Sequence, residues 1–358
     1  MKAAVSRDIK SPLLIEDVTL APPGPGEVQV GIRAVAICHS DVIFIDGGWA
    51  VNMPAVFGHE AAGEVIALGE GVEGFAEGDR VVVTLIRGCG TCKCCLSTNR
   101  TYCTTEFALS QQSPLTDASG VPVTQGVSTG AFAEQVTVHA SQIAKLTGDI
   151  GWDAASLLAC GVITGYGAVT NAAKMPAGAD VVVIGAGGVG LNAVQGAALN
   201  GAGRVIVVDI SEEKLEIARE FGATDVVDGR QENLPRVIRR MTGGGADFVF
   251  VTVGNTKVMD GAYSMIAVGG AVVLVGMPPS GQMSTIDPLL VADMGQRIIG
   301  SKMGQSVISR DIPALEQSYY DGKLKLDELI TGHFAFEDIN EAVDLTRQSK
   351  GVRNVVLL

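Results

Sequence analysis

A run of β-branched residues, Val181-Val182-Val183-Ile184, ends abruptly in Gly185-Ala186-Gly187-Gly188-Val189-Gly190, and this junction limits the possible folds more than any other stretch. An unbroken apolar run bounded by glycine reads as a strand buried on both faces, as in a parallel sheet covered by helices. Gly185 permits a tight turn, Gly187 lets backbone approach a ligand, and Gly190 brings helix and strand together. The helix opening at Gly188 and Val189 presents N–H groups and its positive dipole end to a pyrophosphate. Asp209 ends the next apolar run, nineteen residues after Gly190. Its carboxylate would accept hydrogen bonds from ribose hydroxyls and repel a 2′-phosphate, which selects NAD over NADP, with Lys214 bracing the same ribose. Glycines alone are weak evidence, since a glycine-rich turn needs no ligand; the strand, helix and acidic residue together carry the reading.

Around this junction, apolar runs at 181–184, 204–208, 247–251 and 271–275 alternate with helical stretches, which predicts a doubly wound parallel sheet. Up to about residue 140 the chain shows short alternating strands broken by turns such as Pro22-Pro23-Gly24-Pro25-Gly26, a β-rich domain. The tail has a helical pattern near Ile339–Arg347 and a strand-like end at 354–358 that would return to the first domain. At 358 residues, more than one core is expected. Residues 181–203 carry no charge, but their glycines, Asn192, Gln195 and Asn200 argue against a membrane span. A formal charge of −13 disfavours nucleic acid and anionic lipid as partners. The N-terminus lacks the apolar core of a signal peptide, so the expected location is cytoplasmic.

Five of the seven cysteines fall between residues 89 and 103. Cys89, Cys92, Cys95 and Cys103 have the spacing C-x2-C-x2-C-x7-C, suited to four thiolates around one tetrahedral zinc. Such a site is closed to water and substrate, so its role is structural. An iron–sulfur cluster is the rival reading, disfavoured by the spacing. Cys94 stands inside the motif without an assigned role.

Cys38, His59 and Cys160 offer a second, open site: three ligands leave a fourth position where zinc acts as a Lewis acid. Asp41 is expected to orient the His59 imidazole, and Glu60 to lie near the metal. Singly, such cysteines are more often buried hydrophobes and such a histidine structural. His139 and His333 have no comparable companions and read as surface or structural histidines.

In order and spacing, Cys38-His39-Ser40-Asp41, Gly58-His59-Glu60, the four-cysteine lobe, Cys160-Gly161 and the glycine fingerprint resemble the zinc-containing medium-chain dehydrogenases, the alcohol dehydrogenase family. The nearest likeness is to its liver-type and thiol-dependent formaldehyde dehydrogenase branch. The resemblance implies a GroES-like catalytic domain over residues 1–161 and 303–358, a Rossmann domain over 162–302, and an active site in the cleft. It also implies two zinc ions per chain, NAD as cofactor, and His39 and Arg353 meeting the pyrophosphate. Zinc would stabilise an alkoxide from an alcohol, Ser40 would carry its proton, and nicotinamide would take the hydride. Liver-type enzymes have a relay histidine five residues after the first zinc cysteine; Ile43 stands there, so the proton needs another route.

By the same likeness Trp49, Leu85, Phe132, Met277 and Lys302 would line an apolar, aromatic pocket for a primary or aromatic alcohol or its aldehyde, with Lys302 able to hold an anionic tail. The long segment after Cys103 implies a homodimer. The competing activity is oxidation of an S-hydroxymethyl thiol adduct, weakened for glutathione because Phe107 replaces an arginine. A non-catalytic nucleotide-binding protein is a third reading, disfavoured by the intact open zinc site.

Overall fold

Asp180–Ile184, Arg204–Asp209, Asp225–Asp228, Ala246–Val251, Ile266–Leu274 and Arg297–Gly300 form, among the described residues, a six-stranded sheet. Every neighbouring pair is parallel. Counted along the chain, the spatial order is third, second, first, fourth, fifth, sixth, the dinucleotide-binding order with its switch point beside the first strand. Val181, Val182 and Val183 have no exposed surface, as the uninterrupted apolar run requires.

The structure, a computed structural model, describes residues 1–97 and 100–358. It divides into one unit of Met1–Gly161 with Val307–Leu358 and another of Val162–Ser306, which holds the parallel sheet. Two of its strands escape a reading by hydrophobic runs. Asp225–Asp228 and Arg297–Gly300 are four-residue edge strands with polar ends, and their partial exposure removes the apolar signature of a buried strand. The fifth strand starts at Ile266, earlier than the apolar run at 271, because a register shift and Gly269, with φ of 74°, carry pairing past an irregular turn.

In the first unit Lys2–Ser6, Leu14–Leu20, Leu115–Asp117, Pro122–Gln125 and Ala55–Val56 close a barrel. Beside it runs a sheet centred on Glu27–Ala36, whose alternating burial matches a strand with one face on the core. That strand pairs antiparallel with Glu60–Leu68, Gln135–His139 and Arg353–Leu357. The chain's end thus returns to this sheet, preceded by the helix Ile339–Arg347. Phe57, Phe132, Ile37 and Leu115 fill the core between these layers.

Pairing register places the site. Ala36 is the Cα partner of both Glu60 and Val355, so Cys38, His59 and Arg353 all lie near one end of three adjacent strands. The helix Trp152–Leu157 packs on those strands and runs into a π-helical turn, Leu158–Val162, that carries Cys160. A wider turn of this kind displaces one side chain from the helical face and is frequent at functional sites.

Candidate active site

Cys38, His59, Glu60 and Cys160 come together with their ligand atoms within 4.8 Å of one another, all four buried. Cys38 caps the short helix His39–Ile45, and Asp41 in its first turn reaches back to hold the cluster. Its Oδ2 accepts the Cys38 N–H at 3.1 Å; its Oδ1 accepts the Gly58 N–H at 3.1 Å and lies 3.0 Å from His59 Nδ1. With Nδ1 committed to Asp41, Nε2 is the nitrogen left for the cluster, and it is buried without a hydrogen-bond partner. A buried, unpartnered imidazole nitrogen beside two thiols is a donor set that fits zinc.

Without metal only Cys38 is held toward its ligating form, whereas His59 and Cys160 are held toward their protonated forms, so metal binding would release protons. A hydrogen bond from Cys160, then His59 and Arg353, holds the Cys38 thiol well below its usual range, while the same bond and burial raise Cys160. Burial alone would lower His59, but Asp41 and Cys38 hold its imidazole well above the ordinary value. Burial pushes the Glu60 carboxyl up to about 8 against the pull of Arg353. Arg353 Nη2 lies 3.2 Å from Glu60 Oε1 without hydrogen-bond alignment, and both side chains are nearly or wholly buried. A Cβ on Gly161 would meet Arg353 Nη2 at 1.6 Å, which is why glycine follows Cys160.

The second cluster joins Cys89, Cys92, Cys95 and Cys103, three of them half-exposed. Cys89 and Cys95 sulfurs are 3.9 Å apart, those of Cys92 and Cys103 3.8 Å. Those separations exclude disulfides and match the sulfur edge, about 3.8 Å, of a tetrahedron with bonds of about 2.3 Å. Thr91 and Cys92 N–H groups donate to Cys89 at 3.4 and 3.2 Å. With a Thr105 hydroxyl as the largest influence, such donors pull the Cys89 thiol down to about 5; burial pushes Cys95 up to about 12. Cys94 is half-buried on the same turn and outside the cluster.

In the other unit Gly185 has φ of 102°, and a Cβ on Gly190 would stand 1.8 Å from the Gly185 carbonyl, so turn and packing both demand glycine. A Cβ on Gly187 would meet nothing within 4 Å, leaving open space ahead of the helix Gly188–Leu199 that Val189 helps begin. That open cradle at a helix N-terminus fits a pyrophosphate. Asp209 Oδ2 accepts the Ala186 N–H at 2.7 Å and Oδ1 the Ser211 N–H at 2.9 Å, so the carboxylate also fixes the glycine turn. Lys214 follows in the helix Glu212–Glu220. Sequence reading missed Thr252, whose hydroxyl donates to Ile184 and Gly185 carbonyls at 2.9 and 3.1 Å. A single threonine at a strand end leaves no pattern to find it by.

The remaining candidates are dispersed. His39 is exposed and Ser40 half-buried at the start of the helix after Cys38; Ile43, on the same helix, is half-buried. Trp49 is half-buried and packs edge-on against Phe44 at 5.1 Å, an aromatic neighbour the sequence did not flag. Leu85 is half-buried. Phe132 has no exposed surface and packs in the hydrophobic core, against Gly58. Met277 and Lys302, in the other unit, are exposed. His139 packs edge-on against Phe107 at 4.8 Å and His333 pairs with Asp153; neither is a member of a cluster.

Comparison with known proteins gives these arrangements a lineage. Residues 24–148 match the alcohol dehydrogenase GroES-like domain and residues 188–318 the zinc-binding dehydrogenase family. The Arabidopsis thaliana protein Alcohol dehydrogenase-like 7 is 35% identical, covering 99% of this chain and 94% of its own. An alcohol dehydrogenase zinc-binding domain protein of Burkholderia ambifaria is 32% identical with a TM-score of 0.95, covering 100% of this chain and 98% of its own. The benzyl alcohol dehydrogenase of Acinetobacter calcoaceticus is 30% identical with a TM-score of 0.93, covering 100% and 99%.

Proposed function

The chain belongs to the zinc-binding alcohol dehydrogenases, oxidoreductases with a GroES-like and a Rossmann domain, and from that premise we propose that it oxidises primary or aromatic alcohols with NAD, or reduces the aldehydes. The observation that carries this reading is the buried Cys38, His59 and Cys160 set, whose imidazole nitrogen has no other partner. Likeness over the full length to a benzyl alcohol dehydrogenase favours an aromatic substrate over a small polyol.

Cys38, His59 and Cys160 would hold the catalytic metal, with Asp41 fixing the imidazole ring. When bound, zinc supplies Lewis acidity that lowers the pKa of a substrate hydroxyl, and nicotinamide accepts the hydride. Ser40 Oγ, two residues after Cys38, would take the hydroxyl proton; Ile43 has no group to relay it further, so the proton would leave by another route. Gly187 and Gly188 would receive the pyrophosphate, and Asp209 and Lys214 would hold the ribose. Cys89, Cys92, Cys95 and Cys103 hold a second, structural zinc.

A homodimer is part of this reading. The edge strand Arg297–Gly300 is unpaired on one side among the described residues, and the neighbouring helix Pro288–Asp293 buries nothing although it carries Leu289 and Leu290. Antiparallel self-pairing sets Ile298 against Ile299 of a second copy without like charges, whereas the opposite edge, Asp225–Asp228, is guarded by aspartates.

The test is NADH absorbance with zinc-replete protein, NAD and a panel of simple, aromatic, carboxylate-bearing and thiol-adduct alcohols. Preference for benzylic alcohols is expected; preference for the thiol adduct, or no turnover with any alcohol, overturns the reading.

A further inference from the structure

We propose that Asp228 is a second determinant of cofactor choice, because it clasps Arg230 and so withholds from the adenosine ribose a guanidinium able to neutralise a 2′-phosphate. The inference rests on the NAD reading above and adds a residue pair to it.

Asp228 and Asp209 are Cα partners at the ends of adjacent parallel strands, and the Gly229 N–H donates to the Asp209 carbonyl at 2.9 Å. A Cβ on Gly229 would stand 3.3 Å from Val208 and 3.5 Å from Ile210, so this turn lies against the end of the strand that carries the ribose carboxylate. Arg230 is the next residue. Its Nε lies 2.9 and 3.1 Å from the two Asp228 oxygens and its Nη2 2.7 Å from Oδ2, while its own N–H donates to Oδ1 at 2.9 Å. One of the two bidentate faces of the guanidinium, Nε with Nη2, is thereby occupied.

Both partners are exposed, at 67% and 36%, so no burial locks the pair. An exposed ion pair contributes little to stability, so Asp228 can be replaced without loss of the fold. To a guanidinium released from Asp228, a 2′-phosphate offers more charge and three acceptor oxygens. The two carboxylates therefore act together: Asp209 repels the phosphate, and Asp228 occupies the cation that would offset that repulsion. Replacing Asp209 alone removes the repulsion and leaves the cation engaged.

kcat/KM for NADP and for NAD, measured in the wild type, Asp209→Ser, Asp228→Asn and the double variant, tests this. Each single variant should raise NADP use modestly. The double variant should exceed the product of the singles by about tenfold, a coupling that independent sites do not show. Arg230→Gln on the double background should remove that excess. A multiplicative double variant, or an excess that survives without Arg230, overturns the proposal. Should Asp228→Asn melt early, Asp228→Ser carries the same measurement. Wild type that uses NADP as well as NAD would overturn the NAD reading separately, since the coupling is read from NADP values alone.

Discussion

Cys89, Cys92, Cys95 and Cys103 gather within fifteen residues on half-exposed backbone, whereas Cys38, His59, Glu60 and Cys160 come from three distant segments and are fully buried. The first cluster is tuned by its own loop: the Thr105 and Thr91 hydroxyls and then neighbouring N–H groups turn toward the sulfurs. The second is tuned by the fold, since Asp41 and Arg353 supply charges that local backbone cannot. A local site can be assembled by a short loop and stays closed. A buried site needs the whole unit to hold it, and can leave a coordination position for chemistry.

That contrast breaks most sharply at Cys38. Cys38→Ser should lower kcat/KM by at least about a thousandfold through loss of Lewis acidity, and metal analysis should show one zinc lost per chain. Its Tm should change little; unaltered activity would remove Cys38 from the reaction. Cys103→Ser should give the opposite split, with Tm falling by about 5–10 °C and new protease cutting near the lobe. Equal losses of turnover and stability from both variants would erase the distinction between the sites.

Asp41→Asn sharpens the argument about outside support. Zinc affinity at the catalytic site should fall by about 10–100-fold while the lobe keeps its metal, read by competition with a chromophoric chelator. The smallest effect concerns the metal-free lobe. At pH 7 the Cys89 thiol, pulled down to about 5, is mostly thiolate, while Cys95, pushed up to about 12, is protonated. Alkylation followed by mass spectrometry should label Cys89 first and Cys95 last; the reverse order would show that exposure alone governs the lobe.

Part of this was legible from residues. Buried parallel strands such as Val181–Ile184 have no polar face, so their composition announces them, and the glycines beyond are forced by a left-handed turn and a 1.8 Å packing limit. The four-cysteine spacing is legible because its geometry is local. Asp225–Asp228 and Arg297–Gly300 were not, since edge strands keep solvent on one side and lose the apolar run. Phe132 shows a related limit: its type says nothing of its packing, and only the tertiary structure shows it fully buried.

The sequence by itself therefore determined what depends on neighbours along the chain: strand and helix periods, the glycine turn, and the knuckle of four thiols. Tertiary structure decided what depends on neighbours in space. Cys38 and Cys160 are 122 positions apart, and only the register Ala36 to Glu60 and Val355, with the π-helical turn after Leu157, brings them to His59 and Arg353. Their proton states follow from that meeting, because burial and charge act over ångströms and have no fixed spacing along the chain.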